Sequence, residues 1–355
     1  MRRRAIADCL LGLAAGDLLS WTTADHREPL ISPRARRTRR SLEQFGDDTG
    51  TTTIPRPHVH AAPAAAMRMG AGDDLEWFAF SCRSQLRALR ARGPRDADPL
   101  LDDWQELAHH QEGVRARIGT HFALRNLASG LTPPQSGHDN PHYFDDIASV
   151  RSVAAGLVRG DPAAAVAWAR RDAETTHSLD GVWCAEATAA LVASLASGHS
   201  RSTALDAAME RLPPGSWSRR LAELALAVAE EARSPFDLTV RLHASVADTI
   251  YSYGVAAPDT VALLLGHTAR ASDPLELMAG ALGHGRNADA LPALAGAVAG
   301  LMYGSDWTPD TVRSESYAME GVCLPHLAGV KLHEVIADVG HAAATPSGRA
   351  ASARP

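Results

Sequence analysis

Between Gly283 and Gly304 the chain reads GHGRNADALPALAGAVAGLMYG, a glycine-bearing polar turn that runs directly into an apolar stretch of small residues. That stretch limits the available folds more than any other. Ala293, Ala295, Gly296, Ala297, Ala299 and Gly300 carry so little side chain that a helix made of them is useful only where another backbone lies close against it. A helix over about 290–303 is therefore expected in the middle of a packed bundle. In the turn ahead of it, Asn287 and Asp289 are alternate residues that can face the same side and offer oxygens to one hard cation. The helix start behind them adds a partial positive charge that favours an anionic partner. The same two residues also suit the N-cap of a core helix, and on this segment alone both readings stand.

The rest of the chain agrees with a helical bundle. Apolar residues make up 45% of the 355 and aromatics only 5%, and the apolar excess is Ala and Leu, which favour helix over sheet. Periodicity places further helices at about 5–20, 74–92, 99–111, 112–130, 146–158, 161–175, 180–198, 201–211, 217–233, 236–251, 257–270, 273–283 and 330–339. The first reads as amphipathic, and in the second Leu75, Phe78, Cys82, Leu86 and Leu89 fall on one side. No long alternating segment demands a strand. The expected fold is all-α, one domain over residues 1–341, with an Ala/Ser/Pro/Arg-rich tail at 342–355 read as disordered.

Several function classes are disfavoured. A net charge of −6 gives no footprint for nucleic acid or an anionic membrane, and the basic run Arg34–Arg40 sits in a Pro- and Ser-flanked stretch that reads as a solvated loop. Cys9, Cys82, Cys184 and Cys323 lie far apart without a CxxC pair, so neither a zinc knuckle nor a disulfide framework is indicated. The opening MRRRAIADCLLGLAAG imitates a signal peptide, but Asp8 and Asp17 interrupt its apolar part, and no window approaches a membrane span. A cytoplasmic monomer is expected.

Three irregular polar stretches interrupt the helices. Residues 21–45, with Pro29 and Pro33, lead to Phe45-Gly46-Asp47-Asp48-Thr49. Adjacent carboxylates are costly to hold together unless water or a cation screens them, so this pair is either exposed or a metal site. Pro55, Pro57 and Pro63 then prevent a regular helix until about Ala64. The second stretch, 131–144 (LTPPQSGHDNPHYF), leads to Asp145-Asp146, two acids at a helix start that suit its dipole. With the turn at 283–289 these loops are expected to meet at one end of the scaffold, where binding and chemistry concentrate.

Four pieces in order carry a resemblance. LLGLAAGDLL resembles an LLGLAxGDALG opening, and Gly46-Asp47-Asp48-Thr49 stands where a Thr-Asp-Asp-Thr motif is expected. Asp145–Gly156 followed by RGDPAAAVAWARRDAETTH resembles a loop with the helix that follows it and a Thr-His element, here Thr176-His177. GRNADALPALAGAVAGLMYG is similar to GxDxDTxAAxxGAxxGAxYG. Together they resemble the ADP-ribosylglycohydrolase family over about residues 5–340.

The resemblance implies an orthogonal bundle of helices with a Mg²⁺ or Mn²⁺ centre of one or two ions. The implied reaction is hydrolysis of a glycosidic bond at C1″ of an ADP-ribosylated protein or of an ADP-ribosyl or NAD-derived small molecule. Carried over by position, Asp47, Asp48, Asn287 and Asp289 are the metal ligands. Asp48 also belongs to the catalytic set, with Asp25 and Glu28 as candidates for the gating or acid–base carboxylate. Substrate contacts fall to Asp17, Thr49, Asn140, Tyr143, Phe144, Asp145, Asp146 and His177. Gly46, Asn287 and Ala290 depart from the family's Thr, Asp and Thr, so two hydroxyl ligands are lost and one carboxylate becomes an amide. One ion, or two weakly held ones, is therefore expected. His138–Asp146 replaces a Gly-Asn-Gly loop with proline and aromatics, which cannot approach a pyrophosphate as closely, and Tyr143 or Phe144 is placed to stack on a ring. The alternative is an inactive protein that kept an ADP-ribose pocket.

Overall fold

The structure is a computed structural model that describes residues 2–20, 41, 44, 48, 70–90, 98–159, 161–247, 255–285 and 287–344. Among these residues sixteen α-helices are bounded and no strand occurs. The first half comprises α1 (Arg2–Ser20), α2 (Asp73–Arg90), α3 (Pro99–His109), α4 (Ile118–Ala128), the single turn α5 (Gln135–His138), α6 (Ile147–Arg159), α7 (Pro162–Ala173) and α8 (Asp180–Ala196). The second comprises α9 (Arg201–Met209), α10 (Trp217–Glu231), α11 (Pro235–Val246), α12 (Ala257–Arg270), α13 (Pro274–Gly283), α14 (Ala290–Tyr303), the short α15 (Asp310–Arg313) and α16 (Leu332–Ala344).

Local chemistry sets many of the helix starts. Asp98-Pro99, Asp161-Pro162, Ser234-Pro235 and Asp273-Pro274 each pair a side-chain oxygen that accepts a first-turn N–H with a proline at the next position. There the proline's missing N–H costs nothing. Pro292 likewise falls in the first turn of α14 and leaves that helix unbroken.

α1 and α14 form the centre of the bundle. A Cβ added at Gly12 would collide with the carbonyl of Gly296, one at Gly16 with that of Pro292, and one at Gly300 with that of Asp8. The two backbones therefore touch, and α14 is buried from Ala290 to Gly300, the placement its small residues required. Around this pair α2 packs on α6, α8 on α6 and α7, and α10 on α12. An aromatic cluster fills the space between α2 and α3: Trp77 stacks on Trp104 at 5.8 Å, with Phe80 edge-on to Trp104 at 4.9 Å. The buried Arg151 guanidinium of α6 lies over Trp104 at 4.8 Å and donates from Nε to Asp172 of α7 at 2.8 Å.

Some expectations change. α1 is buried around most of its circumference from Ile6 to Leu18, and so is a core helix rather than an amphipathic one. Leu89 is 42% exposed, outside the buried face formed by Leu75, Phe78, Cys82 and Leu86. The helix expected over 112–130 begins only at Ile118, because the Arg115 N–H is drawn to the Cys323 carbonyl at 2.9 Å and Arg117 is extended (φ −65°, ψ 160°). The helix expected over 236–251 ends at Val246. The final helix runs on to Ala344, so 342–344 are helical, and the remainder of the expected tail lies outside the described residues. All four cysteines are buried free thiols. No helix among the described residues is long and apolar enough to cross a membrane.

Candidate functional site

Helix ends from distant parts of the chain converge on a group of buried acids. Asp17 lies near the end of α1, and Asp73 and Asp74 open α2. One carboxylate oxygen from each of these three lies within 4.8 Å of the others, and all three residues are buried. Gly72 makes the approach possible: its N–H donates to Asp17 Oδ2 at 2.5 Å, and a Cβ there would run into the other oxygen. Asp74 is fully buried and neither of its oxygens accepts a hydrogen bond. Burial first, and then the charges of Asp73 and Asp289, push its carboxyl well above the ordinary range, against the pull of Arg117.

A guanidinium sits among these acids. Arg117, the N-cap residue of α4, is 4% exposed. Its Nη2 donates to Asp289 Oδ2 at 3.1 Å and lies 3.7 Å from Asp73 Oδ2 and 3.6 Å from Asp74 Oδ1. Its Nη1 pairs closely with Asp146 Oδ1. Burial alone would lower the arginine's pKa, but Asp289, Asp73, Asp74 and Asp145 outweigh it and fix the guanidinium as a cation.

The other side of the site is a hydrogen-bonded frame. Asn287 Nδ2 donates to Thr260 Oγ1 at 3.1 Å, and Thr260 Oγ1 donates to Asp146 Oδ2 at 2.7 Å. Asp145 Oδ1 accepts from the Ile147 N–H at 3.2 Å and meets His177 Nε2 at 2.9 Å. Burial would raise the Asp145 pKa, but His177 and Arg117 overcome it and hold the carboxyl below its usual range. His177 Nδ1 meets Thr176 Oγ1 at 2.6 Å, and Arg151 Nη2 donates to that same hydroxyl at 2.7 Å. Asn140 Nδ2 donates to the carbonyls of Gly119 and Thr176, each at 2.8 Å, while its Oδ1 accepts from the His142 N–H at 2.9 Å. His177 and Asn140 thus hold the loops around the site in place through these bonds.

The sequence-derived site residues separate accordingly. Asp17, Asp145, Asp146, Asn287 and Asp289 all reach the acid centre or its frame. Asp48 is exposed, with Gln44 Nε2 donating to its Oδ1 at 2.8 Å, whereas Asp25, Glu28, Asp47 and Thr49 lie outside the described residues. Tyr143 and Phe144 are half-buried and packed edge-on to each other at 5.2 Å, with Phe144 also against Trp217 at 5.6 Å. The residues missed in sequence are Asp73, Asp74 and Arg117. Gly72-Asp73-Asp74 repeats the tripeptide Gly46-Asp47-Asp48, and its two acids open the long helix α2. That was the available signal.

The family model for ADP-ribosylglycohydrolase matches residues 1–341. The chain belongs to the ADP-ribosylglycohydrolase family. Among solved structures it is similar to one titled "ADP-ribosylglycohydrolase-related protein complex", with 20% identity over 96% of this chain and 98% of that one and a TM-score of 0.60, a likeness that extends to the fold. No curated protein matches the chain. As a family member with this fold, it is an all-α glycohydrolase-type protein, and ADP-ribosylated compounds are the substrates its family implies.

The donor set fits a Mg²⁺ or Mn²⁺ ion. Hard dications take oxygen ligands, and Asp17, Asp73 and Asp74 gather oxygens around one point, with Asp74 wholly withdrawn from water and without a hydrogen-bond donor.

Proposed function

We propose that the protein hydrolyses the glycosidic bond at the ribose C1 of an ADP-ribosylated protein or an ADP-ribosyl or NAD-derived small molecule, with a divalent cation held by Asp17, Asp73 and Asp74. The observation that carries this reading is Asp74, a carboxylate buried beside two others with no donor on either oxygen. Evolution tolerates such an arrangement where a cation completes it. When bound, Mg²⁺ or Mn²⁺ supplies charge neutralisation and a polarised water.

The protein's own groups do the remainder. Departure of the leaving group builds positive charge on the ribose, and the carboxylates of the acid centre stabilise it electrostatically. Asp145 is held below its usual range by His177 and Arg117 and so remains a carboxylate paired with them at the edge of the site. Arg117 holds Asp289 and Asp146 in place from one side, and Thr260 holds Asp146 from the other. Asp25 and Glu28 remain the candidates for the acid–base carboxylate.

A second reading, an ADP-ribose-binding protein without turnover, is favoured by Asn287. Its amide, at the position of a family carboxylate, is committed to Thr260. The two are separated by titrating Mg²⁺ and Mn²⁺ calorimetrically and screening ADP-ribosyl-arginine, ADP-ribosyl-serine, O-acetyl-ADP-ribose and NAD-derived compounds, with products identified by mass. Cation binding with cation-dependent release of ADP-ribose is expected. Binding of ADP-ribose with neither cation binding nor turnover would establish the second reading instead.

A further inference from the structure

We propose that the Arg117 guanidinium occupies the place of a second dication, so that the acid centre takes a single ion on the Asp17–Asp73–Asp74 side. This rests on the cation-site reading above. The acids differ in how closely they meet the guanidinium, whose Nη2 stays 3.7 Å from Asp73 Oδ2 and 3.6 Å from Asp74 Oδ1. Asp17, Asp73 and Asp74 bring oxygens within 4.8 Å of one another. Asp289 and Asp146 make the closer contacts with the guanidinium: Nη2 donates to Asp289 Oδ2 at 3.1 Å, and Nη1 pairs with Asp146 Oδ1.

Every neighbour on the Arg117 side supports a monovalent organic cation in that position. The chain delivers the residue in extended backbone just before α4, with the preceding segment pinned by Arg115 N–H to the Cys323 carbonyl. The residue that would add a carboxylate there, Asn287, is neutral and donates to Thr260, which in turn donates to the free side of Asp146. A planar fork of fixed N–H donors can span two separate carboxylates at once, as Arg117 does between Asp289 and Asp146. A guanidinium and one dication also carry less positive charge than two dications. That matches a ligand set in which Asn287 supplies an amide and Asp289 is already paired.

The test counts ions, independently of turnover. Mn²⁺ is titrated into wild type, Arg117→Met and Arg117→Lys, followed by calorimetry and by electron paramagnetic resonance of free Mn²⁺. Wild type and Arg117→Lys are expected to bind one ion per chain and Arg117→Met two. Without metal, Arg117→Met should melt about 5–10 °C lower, since removing one partner of a buried charge cluster leaves the others uncompensated, and saturating Mn²⁺ should restore it. If Arg117→Met is recovered folded only with Mn²⁺ present, the ion is standing in for the side chain, as proposed. Two ions on wild type, or one ion on Arg117→Met, overturns the role of Arg117 and leaves the cation-site reading intact. No ion on any of the three overturns that reading and this inference together.

Discussion

A carboxylate such as Asp74, fully buried beside Asp73 and with Asp17 and Asp289 close by, is unfavourable both through lost hydration and through like charge. Replacing it by the amide of the same shape removes both costs. Asp74→Asn is therefore expected to raise the metal-free melting temperature by a few degrees and to weaken Mn²⁺ binding by at least about tenfold, the stability–function trade-off of a strained site. Asp48→Asn, at an exposed position, should change neither quantity. The opposite pattern, Mn²⁺ binding lost in Asp48→Asn and kept in Asp74→Asn, would return the site to the first Gly-Asp-Asp. The two copies of that tripeptide explain what was legible at this scale. A local string cannot report that Asp73 and Asp74 become buried, and Asp73–Glu76 also suits an ordinary acidic first turn of a helix. Asp17, Asp289 and the Asp145–Asp146 pair were readable because each sits in a longer ordered motif. Arg117 was not, because it becomes a site residue only by leaving the helix that its own periodicity predicts.

Between elements, backbone contact and a single buried carboxylate set the geometry of the site. Gly296 of α14 has no room for a methyl group against the Gly12 carbonyl of α1. Gly296→Ala should force the two helices apart at a cost of about 1–3 kcal/mol in urea unfolding, the range for overpacked cores, and a loss below about 0.5 kcal/mol would contradict the close packing. Asp17, on α1 one residue after Gly16, should move with it and weaken cation binding in the same variant. Glu76 performs a related task from α2. Its Oε1 accepts the Val322 N–H at 2.8 Å, and its Oε2 accepts the N–H groups of Cys323 and Leu324 at 2.7 and 2.9 Å. Through Cys323 it also steadies the Arg115 segment that delivers Arg117. The small-residue code of α14 announced its helix in the sequence. The partner helix and the Glu76 anchor depend on pairings between residues hundreds of positions apart, for which periodicity carries no information.

Across the whole molecule, protons act on two buried clusters with opposite sign. His267 of α12 and His284 after α13 face each other, Nε2 to Nε2 at 2.8 Å, and His243 of α11 lies 6.3 Å from His284 between ring centroids. Burial lowers His267 from 6.5 to about 4, and burial together with the other two histidines lowers His284 further below its usual value. The unfolded chain therefore takes up protons first as pH falls. Stability contributed by these neutral rings is full above about 6.5 and is lost as pH drops toward about 4, at up to about 1.4 kcal/mol per pH unit for each histidine. Asp74 works the other way, since its raised pKa lets the folded protein bind a proton before the unfolded chain does. A single acid-denaturation curve mixes the two, but a difference between variants does not, because both proteins carry Asp74. The melting temperature of wild type minus that of His267→Gln should shrink steadily as pH falls from 7 toward 4, with any packing loss from the substitution appearing as a constant offset. A difference that stays flat across that window would mean that His267 takes up its proton as readily in the folded protein as in the unfolded chain, and that the histidine cluster is not the neutral, buried group its surroundings require.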